Sequence, residues 1–153
     1  MGVVLSLATT AFIVHSCGIY SFTGTSIQPD VMSVTIPYFE YKALKVNPAL
    51  SSQLTEALQE KFIRLTRLEL VDEEGDLEVI GSVTGYDVKA TAITASEQAA
   101  QNRLTVTVKV DKSFSAFADF DAMQQLDAVE ATLCEEIVEK LCEDIFNGTV
   151  ANW

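Results

Sequence analysis

The sequence predicts an α+β fold: a small mixed or antiparallel sheet of about four strands, with two amphipathic helices packed on one face. Apolar residues recur at helical spacing in two long segments, 48–66 and 121–147, which predicts the two helices. Residues 103–110 alternate between apolar and polar side chains, as a strand with one buried face does. A hydrophobic fraction of 48% with only 7 Gly and 3 Pro indicates a folded chain, and 153 residues leave room for one domain with a core.

The first 16 residues are predicted to be a lipoprotein signal peptide. Met1–Val14 has no charged residue and has the composition of a signal-peptide hydrophobic region. It is shorter than the roughly 20 apolar residues that a membrane-spanning helix needs. Ser16 directly precedes Cys17, an arrangement that resembles the bacterial lipobox, in which the cysteine thiol carries the lipid anchor. The alternative is that Val3–Val14 is a buried strand or helix and Cys17 an ordinary core thiol.

The mature chain, residues 17–153, is predicted to be a single domain that begins with an extended tether over 17–30. A short strand over Val31–Ile36 follows. It is closed by Pro37, which cannot donate to a β-ladder. Three aromatic residues come next, and they either pack in the core or stack on a ligand: Tyr38, Phe39 and Tyr41. Core packing is the expected role, because aromatic side chains bury large apolar areas.

The first helix is predicted over Pro48–Thr66. Asn47 before Pro48 is a helix-start signal, because an Asn side chain caps free amides and Pro is preorganised for the first helical turn. A brief strand over Leu68–Val71 follows, and then an acidic turn over 72–76. The turn lacks the alternating ligands and the terminal Glu of a calcium loop, so no metal site is predicted there.

A long strand is predicted over Leu77–Ile93. The parity of its apolar residues changes at Gly85, and a β-bulge at a glycine would swap the two faces in this way. The next strand is Arg103–Val110, with Leu104, Val106, Val108 and Val110 directed to the core and Arg103, Thr105, Thr107 and Lys109 directed outward.

The last strand is predicted over Phe114–Phe120, where apolar residues alternate again. Its pairing stays open at this stage. The link Asp111-Lys112 lacks the Gly or Asn that a two-residue reversal favours. Either the strand continues past the link, or a longer loop has been lost from this chain.

The second helix is predicted to begin with a capping-box-like pair near Asp121 and to end at Asn147-Gly148 in a left-handed cap. Cys134 and Cys142 lie eight residues apart on it, about 12 Å along its axis. They are therefore too far apart for a disulfide and are expected to be small core residues. The acidic residues of this helix mostly fall off its apolar stripe and are expected in solvent.

Composition and motifs exclude several classes of function. A net charge of −12 argues against nucleic-acid binding and against electrostatic adhesion to anionic lipid. The single histidine, His15, lies in the predicted signal peptide. The sequence has no nucleophile elbow, no phosphate-binding glycine loop and no zinc-type Cys/His cluster. We therefore predict a protein that is not an enzyme and that uses no metal and no cofactor other than the lipid on Cys17.

The order and spacing of several short motifs resemble the lipopolysaccharide-assembly lipoproteins of LptE type over nearly the whole mature chain. The motifs are Cys17-Gly18-Ile19-Tyr20-Ser21-Phe22, Ile36-Pro37-Tyr38-Phe39-Glu40, the helix over Leu50–Phe62, Gly85-Tyr86, Arg103–Val110 and Glu143-Asp144-Ile145-Phe146-Asn147. The resemblance implies an anchor in the inner leaflet of the outer membrane, on its periplasmic face. It further implies a plug inside a large outer-membrane β-barrel subunit of LptD type, and transport of lipopolysaccharide to the cell surface.

Contact residues for the barrel or for lipopolysaccharide are predicted on the sheet face that the helices leave free. The hydroxyls of Thr105 and Thr107 suit a polar barrel lumen. Phosphates call for basic side chains, and the candidates are Lys89, Arg103, Lys109 and Lys112. The alternative is that these four are ordinary solvated strand residues.

Two other functions stay open from the sequence. One is a free-standing, periplasm-facing lipoprotein that binds another envelope ligand, for which we expect a concave apolar pocket. The other is an envelope hydrolase that uses acidic residues, for which two carboxylates have to face each other across a cleft.

Overall fold

Residues 27–91 and 100–150 are described by this computed structural model, and they form two helices and seven strands. The strands are β1 (Ser33–Thr35), β2 (Glu40–Tyr41), β3 (Glu69–Leu70), β4 (Leu77–Glu78), β5 (Ser82–Thr91), β6 (Gln101–Lys109) and β7 (Ser113–Asp121). The helices are α1 (Pro48–Leu65) and α2 (Leu126–Val150). The α+β class is therefore confirmed. The predicted signal peptide, Cys17 and most of the predicted tether lie outside the described residues.

The larger sheet has four strands in the order β2-β5-β6-β7. β5, β6 and β7 are antiparallel, and β2 runs parallel to β5. On β6, Leu104, Val106 and Val108 are fully buried, which confirms the inward face that the alternation predicted. This sheet is the small mixed sheet expected from the sequence.

The long strand predicted over 77–93 was wrong, because its residues form two strands in different sheets. β4 pairs with β1, whereas β5 pairs with β2 and β6. The two strands separate at Gly81, where a Cβ would lie 2.3 Å from a ring carbon of Phe39, so only glycine leaves room for that buried ring. The predicted bulge is confirmed, since the register with β6 shifts between Val83 and Gly85. The last two residues of the predicted strand lie outside the described ranges.

A second sheet, which the sequence analysis did not predict, has three short parallel strands in the order β3-β1-β4. The Asp76 carboxylate secures its centre: Oδ2 accepts hydrogen bonds from the amides of Met32 and Ser33 at 2.9 and 3.0 Å and from Ser33 Oγ at 2.8 Å. These bonds favour the charged form and lower the pKa of Asp76. The acidic turn thus holds β1 in place.

The pairing of the last strand is a tight hairpin. Lys109 on β6 pairs with Ser113 on β7, so only residues 110–112 form the turn, and the Val110 amide donates to the carbonyl of Lys112 at 3.0 Å. The expectation that the strand might run on past Asp111 was wrong. Three connecting residues reverse the chain without the Asn-Gly signal that a two-residue turn requires.

The first helix matches its predicted range to one residue, but its start differs in detail. Asn47 occupies the N-cap position, yet its side chain makes no capping hydrogen bond. That side chain points across to α2, where Nδ2 donates to Glu130 Oε1 at 3.4 Å and to Cys134 Sγ at 3.6 Å. A polar link between the helices has replaced the cap.

The second helix begins later and ends later than predicted. Asp121 is the last residue of β7, and its carboxylate accepts from the Met123 amide at 2.8 Å instead of capping the helix. The left-handed cap predicted at Asn147-Gly148 was wrong, because the helix runs on to the buried Val150 and no described glycine has a positive φ. Gly148 serves close packing, since a Cβ there would lie 2.8 Å from the Phe114 ring.

The two helices run side by side in the same direction on the inner face of the larger sheet. α2 packs on β6 and β7, and α1 packs against α2. Phe62 of α1 meets Phe146 of α2 edge-to-face, with ring centroids 5.0 Å apart. Cys134 and Cys142 are buried free thiols, as predicted. Over the described ranges, no helix has the length and apolarity to cross a membrane.

The predicted aromatic cluster divides between the core and the surface. Phe39 is buried, Tyr41 is half-buried and Tyr38 is exposed. The Tyr41 hydroxyl donates to the Lys45 carbonyl at 2.5 Å and accepts from the Asn47 amide at 3.2 Å. Core packing is thus confirmed for Phe39, whereas Tyr41 shapes the loop that leads into α1.

Candidate functional site

The outer face of the larger sheet, defined here as the side turned away from the helices, carries five of the six predicted contact residues. They are Lys89 on β5 and Arg103, Thr105, Thr107 and Lys109 on β6. Each is adjacent in sequence to a residue of the inner face, and side chains alternate along a strand. Lys112 is apart from them, exposed in the β6–β7 hairpin.

Arg103 is held by two neighbours on β7. Its Nε and Nη2 donate to the two carboxylate oxygens of Asp119 at 2.7 and 2.8 Å. Its guanidinium carbon also lies 3.8 Å from the centroid of the Phe117 ring, within cation–π range. The hydrogen bonds raise the pKa of Arg103 and lower that of Asp119. A ligand phosphate would therefore have to compete with a bidentate carboxylate for this side chain.

The centre of the outer face is lined with hydroxyls. Thr107 Oγ1 and Ser115 Oγ, on opposite positions of β6 and β7, are 2.9 Å apart and share a hydrogen bond. Thr105 lies one pair further along the same face, between Asp87 and Phe117. Hydroxyl groups both donate and accept, so this strip suits hydrogen bonding to many polar partners.

Positive and negative charges are balanced on the outer face, although the whole chain has a net charge of −12. Over the three antiparallel strands, three cations on β5 and β6 are matched by three carboxylates on β5 and β7, and Glu40 of β2 pairs with Lys42. By register, the cations are Lys89, Arg103 and Lys109, and the carboxylates are Asp87, Asp119 and Asp121. The excess negative charge is therefore located on other surfaces of the protein.

The free edge of β7 is covered at its midpoint by a lysine from α2. Lys140 Nζ donates to the Phe117 carbonyl at 3.0 Å and pairs with Glu136 at 2.6 Å. A lysine on a sheet edge hinders the addition of a further strand. The outer face, and not the edge, is thus the open polar surface of the sheet.

A second polar cluster lies between the sheet and the helix N-termini. The Tyr86 hydroxyl and the Asn47 amide group both donate to Glu130 Oε1, which makes Glu130 the half-buried exception among the acids of α2. Burial, followed by the bond to Glu130, raises the pKa of Tyr86. Burial likewise raises the pKa of Cys134, so its thiol stays protonated and weakly nucleophilic. The cluster joins β5 to both helices.

A metal site is not seen in the part of the chain that the structure describes: nowhere in it do three or more His, Cys, Asp or Glu residues converge. Of the outer-face carboxylates, Asp119 is opposite Arg103, Asp87 is opposite Thr105 and Asp121 is opposite Gln101. These carboxylates are therefore arranged for hydrogen bonds and ion pairs with the surface of a partner protein.

The profile of one protein family, LptE: lipopolysaccharide-assembly, matches residues 31–148. The chain belongs to the LptE family. The match begins before β1 and ends within α2, so it includes every strand of the outer face, and it confirms the resemblance seen in the sequence motifs. A comparison with curated proteins gives no significant match.

Solved structures resemble this LptE-family chain at low sequence identity. A hypothetical protein from Chlamydia trachomatis superposes with a TM-score of 0.50 at 11% identity, over 80% of this chain and 99% of that chain. A minor lipoprotein from Acinetobacter baumannii gives 0.47 at 14% identity, over 80% and 94% of the two chains. An uncharacterized lipoprotein B from Nitrosomonas europaea gives 0.37 at 10% identity, over 79% and 86%. The first of these supports the fold alone.

Sequence reasoning found the β6 part of the outer face of this LptE-family protein and missed the β7 part. The missed residues are Ser115, Phe117 and Asp119, and the Lys140 that reaches them from α2. A signal for the first three was present, because apolar residues alternate over Phe114–Phe120 and the residues between them must point to the opposite face. Lys140 had no such signal, since its contact depends on where α2 crosses the sheet.

Proposed function

We propose that the chain is a non-catalytic outer-membrane lipoprotein, anchored on the periplasmic side by a lipid on Cys17. In this proposal it associates with and plugs a β-barrel translocon subunit of LptD type, which delivers lipopolysaccharide to the cell surface. Membership of the LptE family supports the role in lipopolysaccharide assembly. The observation that supports the plug is the uncovered polar face of the larger sheet.

The outer face has the chemistry that a barrel interior accepts. Interiors of large outer-membrane barrels are polar, and the Thr105 and Thr107 strip offers donors and acceptors to them. Burying an unpaired charge is costly, whereas Arg103 is already neutralised by Asp119. The Arg103–Asp119 pair therefore brings no unpaired charge into a protein interface, whereas Lys89 and Lys109 on the same face form no ion pair with any described residue and need acceptors from the barrel lumen.

We expect any lipopolysaccharide phosphate that binds this chain to contact the lysines in preference to Arg103. Among the described residues, Lys89, Lys109 and Lys112 form no ion pair within 4.0 Å. Arg103 is engaged by Asp119. We therefore include the three lysines as contact candidates and give Arg103 a structural role on the face.

Introducing two negative charges on the outer face tests the plug directly. The double substitution Thr105→Glu and Thr107→Glu is expected to reduce the co-purified barrel at least about tenfold, because burying new unpaired carboxylates costs several kcal/mol. The measurement is the amount of outer-membrane barrel recovered with the tagged protein from gently solubilised native envelopes.

The matched control adds the same charge elsewhere. Gln53→Glu on α1 and Thr132→Glu on α2 are exposed helix positions, and this pair is expected to leave the barrel recovery unchanged. Equal recovery with both double variants, or recovery of the unsubstituted protein without any barrel, would contradict the plug.

A second candidate function, a free-standing lipoprotein that binds another envelope ligand, is favoured by one observation. A cavity of about 700 Å³ lies at the C-terminal end of α1, which is the size range of small-molecule sites. This function predicts a protein that is extracted alone and that retains a bound small molecule, identifiable by native mass spectrometry.

A further inference from the structure

The cavity at the end of α1 is built by two segments that meet next to the start of the described chain. One segment includes Ile27 and Met32, and the other includes Arg64, Leu65 and Arg67.

The rim of this cavity is amphipathic. Met32 is 71% exposed and Leu65 is 43% exposed, and the exposed residues Arg64 and Arg67 line the same cavity. Arg64 has one partner, Glu60, at 3.8 Å, and both side chains are largely exposed, so this pair holds the guanidinium only weakly. Exposed apolar side chains flanked by arginines are typical of surfaces that lie in a membrane interface.

The tether places this rim near the bilayer. Ile27 is only ten positions after Cys17, and ten residue steps span at most about 36 Å when fully extended. The opposite end of the domain is far from this point, because α2 alone, with 25 residues, is about 38 Å long. The short tether therefore gives the rim a higher effective concentration at the membrane surface than the opposite end of the domain has.

We propose that Met32, Arg64, Leu65 and Arg67 form a membrane-docking patch that takes a phospholipid headgroup of the bilayer in which Cys17 is anchored. The two guanidiniums bind the headgroup phosphate, and Met32 and Leu65 reach the level of the glycerol and upper acyl carbons. The inference rests on the lipid anchor of the proposed function and is independent of the barrel.

The acidic character of the protein limits the strength of this contact. Asp30 and Glu69 lie close in sequence to the two walls of the cavity, and the whole chain is anionic. The patch is therefore expected to bind membranes only when the tether presents it to them. Its effect is orientation, because it turns this end of the domain toward the bilayer and leaves the outer face of the larger sheet free.

The test uses the full, lipidated chain in vesicles of phosphatidylethanolamine and phosphatidylglycerol. An environment-sensitive fluorophore is attached at Leu65→Cys, and a control fluorophore at Met123→Cys, which is 93% exposed just before α2 begins, at the far end of the domain. Cys134 and Cys142 are buried and stay unlabelled in the folded protein. Brominated phospholipids are expected to quench most of the fluorescence at position 65 and none at position 123.

Charge reversal separates the headgroup contact from simple proximity. Arg64→Glu with Arg67→Glu is expected to abolish the quenching, whereas Arg64→Lys with Arg67→Lys retains most of it. Both double variants are checked for an unchanged circular dichroism spectrum, because these exposed positions are not expected to affect folding.

Four results would overturn the proposal. They are equal quenching at positions 65 and 123, quenching that survives the charge reversal, shielding of position 65 from aqueous iodide before vesicles are added, and an intact mass that shows no lipid on Cys17. Shielding in solution would mean that the chain's own N-terminal segment fills the cavity. If no barrel co-purifies with the protein but the expected quenching is seen, the plug is contradicted and the membrane-docking patch is still supported.

Discussion

Cys17→Ser is expected to remove the protein from the outer-membrane fraction altogether. Each buried methylene of a lipid anchor contributes about 0.8 kcal/mol, and two or more chains together hold a protein on a membrane. Without the thiol there is no site for the lipid, and the predicted cleavage before residue 17 is lost as well. Density-gradient fractionation of envelopes measures the loss, and intact mass spectrometry shows whether residues 1–16 are retained.

Cys134→Ala provides the matched control for this prediction. It also removes a thiol, but one that is buried between the helices, so it is expected to leave the outer-membrane fraction unchanged. A free Cys17 thiol and an uncut leader in the unsubstituted protein would disprove the lipid anchor. The protein would then be a domain that is not attached to a membrane through Cys17.

Phe62→Ala is expected to lower the free energy of unfolding by about 3–5 kcal/mol, the usual cost of deleting a buried aromatic ring. Phe62 is fully buried, and its ring meets Phe146 edge-to-face, so truncation leaves a cavity at the seam between α1 and α2. Urea unfolding followed by circular dichroism measures the loss as a lower midpoint with an unchanged slope.

The neighbouring residue supplies the control for the core prediction. Ile63 is 54% exposed on the same helix, and Ile63→Ala is expected to change the free energy of unfolding by less than about 0.5 kcal/mol, as surface substitutions usually do. Similar losses for the two variants would mean that the α1–α2 seam is not the stabilising contact that we describe.

The elements that sequence predicted well are those with a sustained period. The two helices and strands β6 and β7 are each nine or more residues long, so their pattern of buried and exposed positions is repeated several times. The ten-residue strand β5 was located for the same reason, although its separation from β4 was missed. The bulge at Gly85 was predictable for the same reason, because a change of parity is visible only against a long regular pattern.

The sequence predicted short strands at β1 and β3 but not the second sheet that they form, because each strand of that sheet has only two or three residues. Strands this short have too few residues to indicate their partners, and their parallel pairing joins segments more than thirty residues apart. The Asp76 bonds that secure β1 cross 43 and 44 residues, so the acidic turn was recognised as a turn but its partner was not.

Two single residues show how tertiary contacts override local signals. Gly148 follows an Asn near the end of α2 and has the sequence of a helix stop, yet its position is set by the Phe114 ring that packs against it. Asn47 has the sequence of an N-cap, yet its amide group is used for Glu130. In the outer face, likewise, the Asp119 partner of Arg103 became visible only once the β6–β7 register was known.

Site-specific photo-crosslinking at Thr105 tests the proposed role of the outer face most directly. A photoreactive amino acid at this position in cells is expected to give one adduct, with an outer-membrane β-barrel protein, whereas the same amino acid at the exposed Thr132 of α2 is expected to give none. An adduct at position 132 and none at position 105, or adducts at both with proteins that are not barrels, would contradict the account.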